Sequence, residues 1–309
     1  MLFILIIAGI AVWFYTNALP VSESKDFVNF TIAKGSSASE IGKNLESSGL
    51  IRNELVFRIY LKLDGRGGKI QSGQFSLSPS LSLFQTINVL LTGSEEVRVT
   101  IPEGLRREEI AQKFATSLGK DHSFVTKFLL DSKGDEGYLF PDTYLIPADA
   151  SPSAIVQKMT DTFKSRTATL PANTSGLSFN QAVILASIIE RETRTDAERP
   201  VVAGILIKRL NAGMPLQVDA TIQYAIGTSK NWWPILSAGD LEVDSPFNTY
   251  KNAGLPPTPI SNPGLSSLKA AFSPVQTDYW YYIHDSSGQI HYATTLAEHN
   301  VNIKKYLSQ

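Results

Sequence analysis

The chain opens on an unbroken apolar run, MLFILIIAGIAVWFY, and carries no charge before Pro20. About nineteen residues in helical geometry approach the ~30 Å hydrocarbon core of a bilayer, so 1–19 is expected to be a transmembrane anchor. A cleaved signal peptide would show a basic start and a small-residue cleavage site; here Trp13, Phe14 and Tyr15 suit a membrane interface instead. Residues 20–29 are polar and read as a linker. From Phe30 the pattern becomes strand-like, turns at Gly35, and continues as a helix with Ile41 and Leu45 four residues apart.

The same pattern returns 69 residues later, with Ile32 matched by Ile101, Gly35 by Gly104, Glu40 by Glu109, and Phe75 by Tyr144. This predicts two similar units, 30–97 and 98–165, each a strand, a helix, a second strand and a second helix. They are either a duplicated packing unit or a pair of carbohydrate-binding modules of the LysM-like βααβ sort, the second contributing to a cleft. Polar residues 165–177 separate them from a third region, 178–309. There, Ser178 and Gln181 have capping-box spacing ahead of a helix running to about Arg194. A second helix begins near Asp196 and stops at Gly213, and a third, capped by Asp219, covers Ala220 to Ile226. Two strands then flank a Ser-Ser-Gly turn, and a terminal helix follows. Strands and helices mix without βαβ alternation, so the class is α+β.

Composition narrows the chemistry. A formal charge of -1 over 309 residues offers no general attraction to nucleic acid. The absence of cysteine excludes a disulfide scaffold, a thiol nucleophile and a cysteine zinc site. His284, His291 and His299 lack tight ligand spacing, so no metal or other cofactor is expected.

The candidate chemistry lies in "LASIIERET". Glu190 ends an apolar run with small residues, Ser187 and Ala186, on its own helix face. It reads either as a general acid held among apolar neighbours or as an ion-pair partner of Arg194 at i+4. Glu192, beside Arg191, Thr193 and Arg194, reads as part of a solvated helix end. "MPLQVDATIQY" supplies Gln217, Asp219, Thr221 and Tyr224, and "SPFNTY" supplies Asn248, Thr249 and Tyr250. Hydroxyls, amides and aromatic faces on stiff loops suit a cleft for a neutral polar polymer such as a glycan. Glu136 and Tyr144 of "EGYLFPDTY" either line that cleft or pack the second repeat.

Taken together, "EGYLFPDTY", "ASIIERET", "ERPVVAGILIKRL", "GMPLQVDATIQY", "SPFNTY", "GLPPTPISNPG" and "AEHNVNI" resemble the endolytic murein transglycosylases, the YceG-like family, over nearly the whole chain. The resemblance implies an enzyme attached to the cell (inner) membrane and facing the wall, with peptidoglycan glycan strands as substrate and wall-synthesis proteins as partners. The family's catalytic glutamate falls on Glu190. It also implies a 1,6-anhydro product, formed when the sugar's own C6 hydroxyl replaces water as nucleophile. Three rival readings stand beside it: a lysozyme-type hydrolase, a non-catalytic membrane-tethered wall-binding protein, and a pyridoxal phosphate lyase, for which a membrane anchor makes little sense.

Overall fold

A computed structural model describes residues 2–24, 26–65, 67–92 and 96–307. Met1 of the expected anchor, Lys25 of the expected linker and the last two residues of the C-terminal region lie outside the described residues. The described residues form twelve α-helices and three two-stranded sheets, a mixed α+β architecture. The chain divides into two compact units, one comprising 1–98 with 145–151 and the other 99–144 with 152–309.

In the first unit, α1 (Leu2–Ala18) is the apolar N-terminal helix, 17 residues long. Among the described residues no helix is long and apolar enough to cross a membrane. Ala18 is buried and Phe14 packs against the unit's core. The polar stretch that follows is fastened to the unit: the amides of Val21 and Ser22 donate to the Pro79 carbonyl, Ser78 Oγ donates to Ser24 O, and Arg52 grips the Pro20 carbonyl. The first strand, β1 (Val28–Ile32), starts two residues earlier than the sequence pattern indicates.

Then come α2 (Ala38–Ser47), α3 (Glu54–Asp64), β2 (Gly73–Leu77) and α4 (Leu83–Thr92). β1 and β2 are antiparallel with Phe30 opposite Phe75, placing both rings, with Leu77, in one core cluster with Leu45 and Phe57. The sequence pattern predicts one helix between the strands; the structure has two. The break comes where Gly49 adopts a left-handed conformation and Asn53 Oδ1 accepts from Val56 N, stopping one helix and starting the next.

The element order repeats as β3 (Glu96–Thr100), α5 (Arg107–Ser117), α6 (His122–Asp131), β4 (Thr143–Pro147) and α7 (Pro152–Thr167). The matched positions behave alike: Ile32 and Ile101 are both buried, as are Phe75 and Tyr144, and Gly35 and Gly104 both have positive φ, 88° and 78°.

The rest of the second unit is built on α8 (Phe179–Glu192), α9 (Glu198–Asn211), α10 (Asp219–Ile226) and α11 (Leu265–Phe272), followed by β5 (Tyr281–His284), β6 (Ile290–Ala293) and α12 (Leu296–Tyr306). α8 starts where the sequence indicates: Gln181 N donates to Ser178 Oγ, and Ser178 N donates to Gln181 Oε1. From Ala182 onward it is apolar on almost every face, as expected of a helix surrounded by protein. Val183, Leu185, Ala186, Ile188 and Ile189 pack with Val202 and Leu206 of α9 and with Leu268 and Ala271 of α11. Its last turn therefore carries its polar side chains out of a fixed core.

Candidate active site

Glu190 leaves α8 at the end of that packed run, and only 6% of its side chain is exposed. Oε2 accepts from the amide of Gly264, at the start of α11, at 2.9 Å. Oε1 accepts from Nη2 of Arg199 at 3.3 Å. Arg199 is itself 10% exposed and is held on α9 by Ser267 Oγ at 3.0 Å and by the carboxylate of Asp196. The partner of Glu190 is thus Arg199, from the next helix, rather than Arg194 at i+4. The small residue at 187 does not open a path to the carboxyl. Ser187 is fully buried; its Oγ accepts from Ile260 N and its carbonyl accepts from Ser261 Oγ, pinning the loop that carries Gly264.

That loop also ties the second repeat to the site. Gly104 N donates to the Asn262 carbonyl at 2.9 Å, and Asn262 N donates to the Leu105 carbonyl at 2.8 Å. Asn262 Oδ1 accepts from Gly137 N and Leu139 N, while its Nδ2 donates to Leu105 O and, at 2.7 Å, to Glu136 Oε1. Glu136 is buried, takes further bonds from Arg107 N and Tyr224 Oη, and has its pKa pushed up to about 8, chiefly by desolvation and then by the charge of Glu108. It braces the site from inside.

Tyr224 carries the guanidinium of Arg106 over its ring at 4.0 Å, and Arg106 also lies 4.7 Å from the ring of Trp232. Arg191 stacks on Trp233 at 3.7 Å, and Trp233 Nε1 donates to Glu109 Oε2 at 3.0 Å. Arginine heads on half-buried indoles make a stiff aromatic wall beside the α8 end, each cation–π contact worth about 0.5–1 kcal/mol where solvent reaches it.

Glu192 faces elsewhere, and it is not a solvated helix end. Tyr282 Oη donates to it at 2.8 Å, and burial, followed by the nearby charge of Asp219, pushes its pKa up to about 7. Tyr250 Oη donates to Asp219 Oδ1 at 2.5 Å in the same neighbourhood. Asp219 is exposed and is the first residue of α10; Val218 occupies the cap and no side chain caps the helix, so the expected N-cap role falls away. Gln217 is also exposed and has a φ of 54°, an unusual left-handed conformation for a residue with a side chain, and its N–H donates to the Thr249 carbonyl.

The other predicted positions point inward. Thr221 and Thr249 are buried and share a hydroxyl bond of 2.9 Å. Asn248 is buried, and its side chain bridges the carbonyls of Leu241 and Val243 to the amide of Tyr250. Tyr144 donates to the Phe140 carbonyl from within the second repeat's core. These four shape the loops; Gln217, Asp219 and the half-buried Tyr224 and Tyr250 have surface to offer a ligand. His284 pairs with Glu198, His291 with Asp285, and His299 stacks on Tyr281. Among the described residues no group of three or more His, Asp or Glu could hold a metal ion.

Two features beside Glu190 escape the sequence reading. Arg199 is one. The other is Glu103, whose carboxyl lies so close to Gly264 that a β-carbon there would be 1.7 Å from Oε1. The available signal was a difference inside the repeat, since Glu103 stands where the first unit has Lys34.

A sequence profile of the YceG-like family matches residues 30–305. The chain belongs to the YceG-like family. A relative from Bacillus subtilis named endolytic murein transglycosylase is 34% identical over 98% of this chain and 92% of its own length. A Streptococcus pneumoniae protein of the same name is 28% identical over 94% of this chain, which spans 61% of that longer relative. The crystal structure of a YceG-like protein from Listeria monocytogenes, 31% identical, aligns with a TM-score of 0.56 over 90% of this chain and 99% of that one.

Proposed function

We propose that this YceG-like protein cuts murein glycan strands internally as a lytic transglycosylase, leaving a 1,6-anhydro-N-acetylmuramic acid end, with Glu190 as its essential carboxyl. The observation that carries the reading is a carboxyl fixed by Arg199 and the Gly264 amide, at a helix end flanked by an aromatic wall, in a chain similar to proteins named for that activity.

The chemistry asks for a proton at the glycosidic oxygen between N-acetylmuramic acid and N-acetylglucosamine, and for removal of the C6 hydroxyl proton. One carboxyl serves both steps in turn, as acid and then as base. A glycosidase using water needs two carboxyls in fixed relation. Gln217, Asp219, Tyr224 and Tyr250 hold sugars along the strand, and Thr221, Asn248, Thr249, Glu136 and Tyr144 keep the loops in shape.

The uncharged N-terminal run supports attachment to the cell membrane, with the second unit outside the cytoplasm where the wall lies, near wall-synthesis proteins. Digestion of purified wall glycan by the unaltered protein and by Glu190→Gln tests the reaction, with mass spectrometry of the products. The expected result is 1,6-anhydro ends from the first and none from the second. Reducing ends would identify a hydrolase, and equal cleavage by Glu190→Gln would remove that residue from the chemistry.

A further inference from the structure

Arg106, Arg107, Arg199 and Arg209 are buried or half-buried, and each spends its guanidinium on the protein itself. Arg106 donates to the Tyr224 carbonyl and pairs with Glu108, and Arg107 donates to the carbonyls of Leu129 and Ser132. Arg199 holds Glu190, Asp196 and Ser267, and Arg209 donates to the carbonyls of Leu216 and Trp280. Arg191 differs. It is half-buried and stacked on Trp233 at 3.7 Å, yet among the described residues it makes no hydrogen bond and no ion pair. The charges of Glu109, Glu190 and Glu192 favour its cationic form without any of the three reaching ion-pair distance.

A cation taken partly out of water with no counter-ion loses hydration that nothing inside the protein replaces. Nε of Arg191 is buried without a partner, whereas the two terminal nitrogens, equally unbonded, keep contact with solvent. The stack fixes the plane of the guanidinium, and Trp233 is fixed in turn by donating from Nε1 to Glu109. The result is a held cation with its two terminal N–H groups open, the fork that matches the two oxygens of a carboxylate.

Its position points to the source of that carboxylate. Arg191 follows Glu190 at the end of α8, and both side chains pass the same glycine: a β-carbon on Gly104 would lie 3.5 Å from Cγ of Glu190 and 3.5 Å from Nη1 of Arg191. The bond presented to Glu190 starts at C1 of N-acetylmuramic acid. C3 of that same sugar bears the lactyl ether that distinguishes it from N-acetylglucosamine. The ether ends in a carboxyl, free where the glycan is bare and, where it is not, amide-linked to a peptide with carboxylates of its own.

We propose that Arg191 is a specificity-determining residue that binds a carboxylate of this branch, so that the enzyme reads the charge hanging from the sugar it cuts. This rests on the transglycosylase reading and adds a substrate contact to it, leaving the chemistry with Glu190. The contact sets the register of the strand. With the branch on Arg191, the bond at Glu190 is the one after N-acetylmuramic acid and not the one after its unbranched neighbour.

The test uses glycan strands that carry peptide stems and strands stripped to the lactyl carboxyl, each untreated or with its carboxylates converted to amides by carbodiimide and ammonia. The quantity read is the preference, kcat/KM on the charged form over kcat/KM on its amide. The unaltered protein should prefer the charged form by about 10- to 100-fold, the usual worth of hydrogen bonds to a charged group. The preference falls in the peptide-bearing pair if a stem carboxylate is the ligand, and in the stripped pair if the lactyl carboxylate is. Arg191→Met, which keeps a long side chain against Trp233, should bring it to about one. Arg191→Lys, which keeps the charge without the fork, should fall between. Because the preference is a ratio measured on one preparation, a general loss of activity or stability cancels from it. A preference near one on both pairs in the unaltered protein, or one undiminished in both variants, would overturn the role of Arg191. The first of these outcomes needs no variant and holds even where Arg191→Met does not fold. Absence of 1,6-anhydro ends from the unaltered protein on every substrate would overturn the underlying reaction instead, so the two failures are distinguishable.

Discussion

Replacing Glu136 by Gln probes how the second repeat is joined to the loop behind the candidate active site. Glu136 is buried and receives bonds from Asn262 Nδ2, Arg107 N and Tyr224 Oη. Its pKa rises from 4.5 to about 8, mainly through desolvation. An acid whose folded pKa lies above its unfolded value is proton-linked in a definite direction: its stabilising contribution is complete at low pH and is lost as pH climbs from the unfolded to the folded value. A shift of this size at 1.36 kcal/mol per unit corresponds to about 5 kcal/mol lost by pH 9. Gln has the shape of the protonated acid, accepts on one side and donates on the other, and never ionises.

At pH 5 the two proteins should therefore melt within a few degrees of each other. By pH 9 Glu136→Gln should be the more stable, by about 10 °C or more at 2–4 °C per kcal/mol for a unit of this size. Near-UV circular dichroism melts at half-unit pH steps measure it. Parallel melting curves for the two proteins across that range would refute the reasoning, because they would mean that Glu136 ionises in the fold as easily as outside it.

Glu192→Gln should retain far more glycan cleavage than Glu190→Gln, and it should flatten the stability profile between pH 5 and pH 7, where the raised Glu192 pKa makes the native protein lose stability as pH rises; activity and melting assays on the same preparation read both. Gly204→Ala should cost more than about 2 kcal/mol in chemical denaturation, since its β-carbon would lie 2.0 Å from the Val275 carbonyl, a backbone atom that cannot swing aside. Deleting residues 1–19 should move the protein from the membrane pellet to the supernatant on cell fractionation, and an unchanged distribution would rule out attachment through that helix.

Much of the fold is legible because local chemistry and tertiary packing agree. The Ser178/Gln181 capping box starts α8, the 69-residue spacing aligns two βααβα runs, and the Ser-Ser-Gly turn joins β5 to β6. The candidate active site is less legible, because its partners come from distant segments. Nothing near position 190 indicates that Arg199 will pair with it, or that a glycine 74 residues later will offer its amide. Hydroxyl and amide content likewise does not tell a ligand contact from a scaffold. Thr221 and Thr249 satisfy each other inside the protein, while Asp219 and Tyr250 do so at its surface. Glu192 illustrates the opposite error: charged sequence neighbours suggest solvent, but β5 covers it with Tyr282.

The segment after α1 looks like a tether in composition, yet the amides of Val21 and Ser22 are bonded to Pro79, the carbonyls of Pro20 and Ser24 to Arg52 and Ser78, and Ala18 is already part of the first unit's core. Helix and first unit are therefore joined by residues that the unit itself holds, at Ala18, Pro20, Val21, Ser22 and Ser24. Were α1 to seat in a membrane, as proposed, the height of the first unit above it would be set by these contacts and not by the length of a flexible leash.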